Sequence, residues 1–254
     1  MRRLYLFLLL LVGAHGGWAQ KAFIFNSQQK NGFVSLSLGA SQPLGTFGKR
    51  TAEADENGLA MRGQTWSVMA GYRLAGPFGL MGRYDETQNG IDTKALTANI
   101  IQSAGDNLQG STPAGQTGRW QSRTFMAGPF ITIPLGRFAL DVRALAGQAW
   151  ATCPETCVQG KLNQTETLIR TENREAKALA SGAGISLRFR VSPTVGLHVN
   201  GDYSTARFTF SNVPLESRYG NLTQQLTYNS QKTLSTATLS AGITIQFRAR
   251  NRVF

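Results

Sequence analysis

His198, the pair Cys153 and Cys157, and a set of Arg and Asp residues spaced two apart are the groups in this chain whose chemistry could matter. A histidine can act as general base or metal ligand. His198 lies just after the short turn Ser192-Pro193-Thr194 and shares parity with Asn200, Asp202 and Ser204, which puts it on a polar face among hydrogen-bonding neighbours. One such histidine and two cysteines in a different segment match no metal-ligand spacing. No glycine-rich phosphate loop opens a helix, and there is no nucleophile elbow. The expectation is therefore no catalytic residue, no metal ligand and no cofactor.

The second histidine, His15, falls in an N-terminal stretch with the marks of an export signal. Met1-Arg2-Arg3 precedes the apolar run Leu4–Val12, and Gly17 and Ala19 flank Trp18 just before Gln20. Cleavage after Ala19 would turn 254 residues into a mature chain of 235. The expected division is 1–19 leader, 20–31 periplasmic segment, 32–247 barrel and 248–254 basic tail. Exported cysteines meet oxidants, and Cys153-Pro154-Glu155-Thr156-Cys157 brings an even pair close in a turn, so a structural disulfide is expected.

The charged residues need a frame, and the frame has a period of two. Val34, Leu36, Leu38 and Ala40 alternate with Ser35, Ser37 and Gly39; Ala237, Leu239, Ala241, Ile243, Ile245 and Phe247 alternate with Thr238, Ser240, Gly242, Thr244 and Gln246. Each such segment has one apolar face and one small polar face, as a strand between two environments does. Eight segments qualify, near 32–42, 64–74, 78–86, 120–133, 137–150, 177–191, 195–210 and 233–247. Tight Gly/Pro turns alternate with long polar segments near 43–63, 87–119, 151–176 and 211–232. This is the plan of a membrane barrel, with both termini periplasmic and long loops outside. A soluble β-sandwich would show the same alternation, but its strands are shorter as a rule. Within 87–119, Asp92 precedes Leu96 and Ile100, a spacing that predicts a short capped helix; an extra hairpin making ten strands is the alternative.

By parity Arg73, Arg83, Asp85, Asp141, Arg143, Arg188, Arg190, His198 and Asp202 face inward. A charge on the lipid side at mid-membrane would cost about 2–4 kcal/mol, so an ion-pair network in the lumen is expected. Composition agrees with a membrane barrel: 41% hydrophobic and only 16% charged residues, against roughly 25% in soluble domains. The formal charge of +12 becomes +10 without Arg2 and Arg3, and it is spread along the chain apart from Arg248, Arg250 and Arg252. That distribution disfavours nucleic acid and points to lipopolysaccharide phosphates and other outer-membrane lipids.

The leader, the first strand Gly32-Phe33-Val34-Ser35-Leu36-Ser37-Leu38-Gly39, its Pro43-Leu44-Gly45-Thr46-Phe47 exit and the terminal Phe254 resemble the small eight-stranded outer-membrane β-barrels of Gram-negative bacteria. The resemblance covers the mature chain. It implies an all-β, antiparallel up-and-down transmembrane barrel, outer-membrane location, and recognition by the barrel-assembly machinery through an aromatic end, Phe247 or Phe254. Enzymes of this shape use a histidine at the outer end, whereas His198 starts at the periplasmic one. The expected protein is a non-enzymatic monomer with a structural or adhesion-type surface role and a protein partner met through its loops. The alternatives are a small-solute or anion channel, or a component of a secretion or assembly machine.

Overall fold

The computed structural model describes residues 31–50, 57–103, 108–113, 118–162 and 164–247. The leader and the basic tail with Phe254 lie outside them. Eleven strands occur among the described residues: β1 (Gly32–Leu44), β2 (Ala60–Ala75), β3 (Phe78–Ile91), β4 (Leu108–Pro113), β5 (Trp120–Leu135), β6 (Phe138–Cys153), β7 (Thr156–Leu162), β8 (Thr165–Thr171), β9 (Arg174–Arg190), β10 (Val195–Tyr219) and β11 (Leu222–Phe247). A 3-10 turn, Gly45–Gly48, follows β1, and the helix α1 spans Thr93–Ser103.

Eight strands close a ring in the order β1-β2-β3-β5-β6-β9-β10-β11, with β11 paired back to β1. The ten-strand alternative is not realised, because β4 pairs with β7 outside the ring. The register fixes the geometry. From Val34 the rungs run through Ala70, Gly82, Ala127, Ala146, Ser181, Thr205 and Ser235, and return to β1 at Leu44, ten residues on. With the usual rise and strand spacing, this shear tilts the strands by about 40°. Each rung therefore climbs about 3 Å per strand around the wall.

Alternation is what makes these residues a membrane barrel. Leu38, Leu239 and Leu179 stand 69%, 66% and 85% exposed on the outside, while Ser35, Ser37, Asn200 and Thr244 are buried inside. One outer aromatic ring holds Tyr72, Phe78, Phe138, Phe189 and Phe247; the other holds Trp66, Tyr84, Phe125 and Tyr203. Neighbours within them touch, Phe138–Phe189 at 5.0 Å and Trp66–Tyr84 at 5.4 Å between centroids. Between the rings, no described outward position carries a charge except Glu86, at the outer ring. An apolar belt around a closed sheet, with every rung paired, spans a bilayer.

The periplasmic hairpins are tight. Gly76 (φ +52°) and Gly136 (φ +69°) take left-handed conformations that let two residues reverse the chain. At the outer end the long segments are less loop-like than their sequence reads. Asp92 caps α1 by accepting from the Ala95 amide at 3.1 Å. The 151–176 segment folds as β7 and β8. The 211–232 segment is no loop: β10 and β11 run on as one hairpin of 25 and 26 residues, with a bulge between Phe210 and Val213. Strands that leave the membrane have water on both faces, so they lose the apolar alternation that marks strands within it.

Candidate functional site

The lumen is where the chain concentrates its polar groups. β3 and β10 lie on opposite sides of the eight-strand ring, yet Asp202 of β10 meets Arg83 of β3 across it, Oδ2 against Nη1. Arg83 also holds Asp85 on its own strand, with Nε 2.7 and 2.8 Å from the two carboxylate oxygens. The other oxygen of Asp202 accepts from Arg143 of β6, through Nε at 2.9 Å and through Nη2. Two arginines and two carboxylates thus form one neutral knot. The side chains of Arg83 and Arg143 are 4% and 1% exposed.

Hydroxyls and an amide extend the knot to β9, β11, β1 and β2. Arg143 Nη1 donates to Ser186, whose hydroxyl donates to Asn200 Oδ1 at 2.6 Å. Asn200 Nδ2 reaches Ser240 at 3.2 Å and Ser37 at 3.3 Å, and Ser37 meets Ser67 at 2.7 Å. Nearer the periplasm, Arg188 pairs with Asp141, which also accepts from Thr132 at 2.6 Å. The same guanidinium lies 4.7 Å over the ring of Phe33, which packs edge-on to Phe130.

Of the inward charges named from sequence, Arg83, Asp85, Arg143 and Asp202 come together, and Arg188 with Asp141 forms a second pair. Arg73 is half-buried at the periplasmic mouth, and Arg190 is exposed there. His198 is 3% exposed, and its Nδ1 lies 2.8 Å from Thr244 Oγ1, which in turn meets Ser35 at 2.8 Å. Thr244 thus links the imidazole of β10 through β11 to Ser35 of β1. Among the described residues, no group of three His, Cys, Asp or Glu side chains could hold a metal ion.

Sequence parity leaves unremarked a second layer above the knot. Phe47, from the 3-10 turn, drops into the outer mouth and meets Trp120 edge-on at 5.5 Å. Trp120 meets Phe210 at 6.1 Å, and Phe210 stacks on Phe208 at 6.0 Å. The Trp120 indole donates to Gly58 O at 2.8 Å, tying the β1–β2 connection down over the mouth. The signal was available, since Phe208 and Phe210 share parity with Asp202 and His198. Between plug and knot, the space open to a water's centre is about 30 Å³. That is room for roughly two waters.

The expected disulfide is not formed in the structure: Cys153 and Cys157 are free. Cys153 ends β6 packed against the buried apolar cluster, where Lys232 is its charged neighbour. Cys157 lies in β7, opposite Arg170 of β8 and near Glu155 and Glu216. Arg170 in turn pairs with Glu155 at 2.7 Å. Burial pushes the Cys153 thiol up to about 11, so little of it is thiolate at neutral pH. Iodoacetamide at pH 8, without reductant, is expected to label Cys157 well before Cys153. Cys153 labelling should rise steeply as pH approaches 11. Failure of both to label until reductant is added would restore the disulfide.

No protein-family model matches the chain, and no curated protein sequence matches it. Solved structures similar to it include neisserial surface protein A, at 12% identity and TM-score 0.44, over 85% of this chain and 97% of that one. Another is the attachment invasion locus protein Ail of Yersinia pestis, at 16% and 0.39, over 84% and 99%. A third is the outer-membrane protease OmpT of Escherichia coli, at 10% and 0.40, over 88% and 99%. At such identities the likeness is one of fold. The closed ring, the apolar belt and the polar lumen define the class: an eight-stranded outer-membrane β-barrel of the Gram-negative type.

Proposed function

We propose that the protein is a non-enzymatic, closed barrel with an adhesion-type role at the cell surface. The observation that carries this reading is the sheet it raises outside the membrane. Beyond the ring, β8 pairs with β10 over Leu215–Tyr219, β7 with β8, and β4 with β7. With the outer parts of β10 and β11 these make a five-stranded extension. Pairing of β11 with β1 stops at Ser235, so the edge of β11 from Leu222 to Leu234 has no partner strand among the described residues. Proteins blunt such edges with charge or proline. Residues 222–231 carry neither, and Leu222, Leu226 and Tyr228 are exposed. An edge of this kind suits a partner that adds a strand.

Attachment of a non-adherent Gram-negative strain to a cultured epithelial layer tests the reading. Production of the wild-type protein is expected to raise attachment. Leu226→Lys with Tyr228→Lys should return it to background at unchanged surface amount. No rise with the wild type would overturn the adhesion reading. Stable co-purification of a fixed set of envelope proteins would assign the edge to an assembly machine instead.

A further inference from the structure

Four basic side chains point outward on this barrel at one level. They are Arg62 of β2, Arg123 of β5, Lys177 of β9 and Arg207 of β10, all exposed. The register gives their heights. Counted along each tilted strand and corrected for the climb of the rungs, all four stand roughly 25–30 Å above the periplasmic aromatic ring. An apolar belt is about 25 Å tall, so this is the level of the outer-leaflet headgroups.

Three of the four share one wall. Arg123, Trp150 and Lys177 are consecutive members of one rung across β5, β6 and β9. Arg207 follows on β10, where its Nη2 donates to Gln231 at 3.0 Å and leaves other donors outward. Glu86, opposite Arg123 on β3, and Glu175, above Lys177, are the carboxylates of this wall. Among the described residues, none of the three cations forms an ion pair. Three cations around one tryptophan, at the surface of a membrane, match an anionic headgroup.

The wall below supplies a second, independent observation. Next under this rung stand Phe125, Gln148 and Leu179, and below them the outward positions are small: Ala127 on β5, Ala144 and Ala146 on β6, Ser181 and Ala183 on β9. They lie roughly 12–20 Å above the periplasmic ring, within the outer half of the belt. Tyr203 of β10 stands beside them, opposite Ala183, and Val142, Ile185 and Leu187 fill in beneath. The β11–β1 wall has no such hollow, for it carries Leu36, Leu38, Leu239 and Ile243. A shallow trough, confined to the outer leaflet and capped by cations, has the shape of an amphiphile with several acyl chains and a phosphorylated head.

We infer that the β5–β6–β9–β10 wall is a binding site for the phosphorylated, multiply acylated glycolipid of the outer leaflet, lipid A. Its phosphates sit among Arg123, Lys177 and Arg207, and its chains lie over the alanine trough. The site is independent of the β11 edge and stands whether or not that edge binds a partner.

Native mass spectrometry of the full-length protein, folded in detergent, tests this with three probes: bis-phosphorylated lipid A, its dephosphorylated form and phosphatidylglycerol. Each cation near a membrane surface is worth about fivefold in affinity, so three give on the order of a hundredfold. Lipid A should bind about that much more tightly than the dephosphorylated form. Arg123→Gln/Lys177→Gln/Arg207→Gln should erase the difference, and Arg62→Gln, on another wall, should not. Ala146→Leu with Ala183→Leu should weaken lipid A while leaving the charges in place. All variants are checked for the gel shift on boiling that a closed barrel gives. Equal binding of the dephosphorylated lipid, or an unaffected triple variant, would overturn the site. Equal binding of phosphatidylglycerol would overturn the glycolipid as its occupant.

Discussion

Asp202→Ala is expected to cost the barrel about 3–5 kcal/mol, the scale for stranding a buried charge. Asp202 is the one carboxylate hydrogen-bonded to Arg143 and the second one on Arg83. Without it, Arg83 keeps Asp85, while Arg143 keeps only the Ser186 hydroxyl, at 1% side-chain exposure. The asymmetry predicts an order: Asp85→Ala should be milder, because Arg83 retains Asp202. Removing both members of the worse pair, as Arg143→Met/Asp202→Leu, should recover much of the loss, since an apolar pair strands no charge. Gly184→Ala should resemble Asp202→Ala, because a Cβ there would collide with Asp202 Oδ1 and crowd Arg143 Nε. Denaturant unfolding in lipid vesicles, followed by tryptophan fluorescence, measures all of these. An Asp202→Ala barrel within 1 kcal/mol of wild type, less than the roughly 1–3 kcal/mol of one unmade hydrogen bond, would sink the knot as a source of stability.

The barrel was legible because lipid and lumen impose opposite demands on alternate residues. Val34, Leu36 and Leu38 against Ser35 and Ser37 announce β1, and the same contrast marks the other seven ring strands. Where both faces meet water the contrast disappears, and so Leu222–Gln231 reads as loop although it is strand. Parity likewise tells which charges face inward but not which of them meet. That Asp202 reaches Arg83 depends on ring closure, a property of eight strands together and absent from any one segment. Gly182 and Gly184, on the lumen face of β9, leave space that Met126 and Asp202 fill.

Reconstituted protein is expected to show no steady single-channel current in a planar bilayer. Two barriers of different chemistry lie in series along the lumen. The lower is the knot of Arg83, Asp85, Arg143 and Asp202, tied to Ser186, Asn200 and Ser37, so that side chains from opposite walls meet. The upper is the apolar plug of Phe47, Trp120, Phe208 and Phe210, of which Phe47 and Phe210 are 2% and 0% exposed. An ion crossing the knot would have to part oppositely charged groups in a low dielectric, and one crossing the plug would shed its water among hydrocarbon rings. The space between them is about 30 Å³, with a second pocket of about 20 Å³ beside the plug. Eight strands leave an interior that side chains can fill, and here they do. Because the barriers act in series, breaking one is not enough. Phe208→Ala/Phe210→Ala should stay silent while the knot holds, and Asp202→Ala should stay silent while the plug holds. Current should appear only when the two sets are combined in a barrel that still shifts on boiling. Reproducible anion-selective openings in the wild type, lost on Arg143→Ala/Arg188→Ala, would show that the arginines line a conducting path rather than close one.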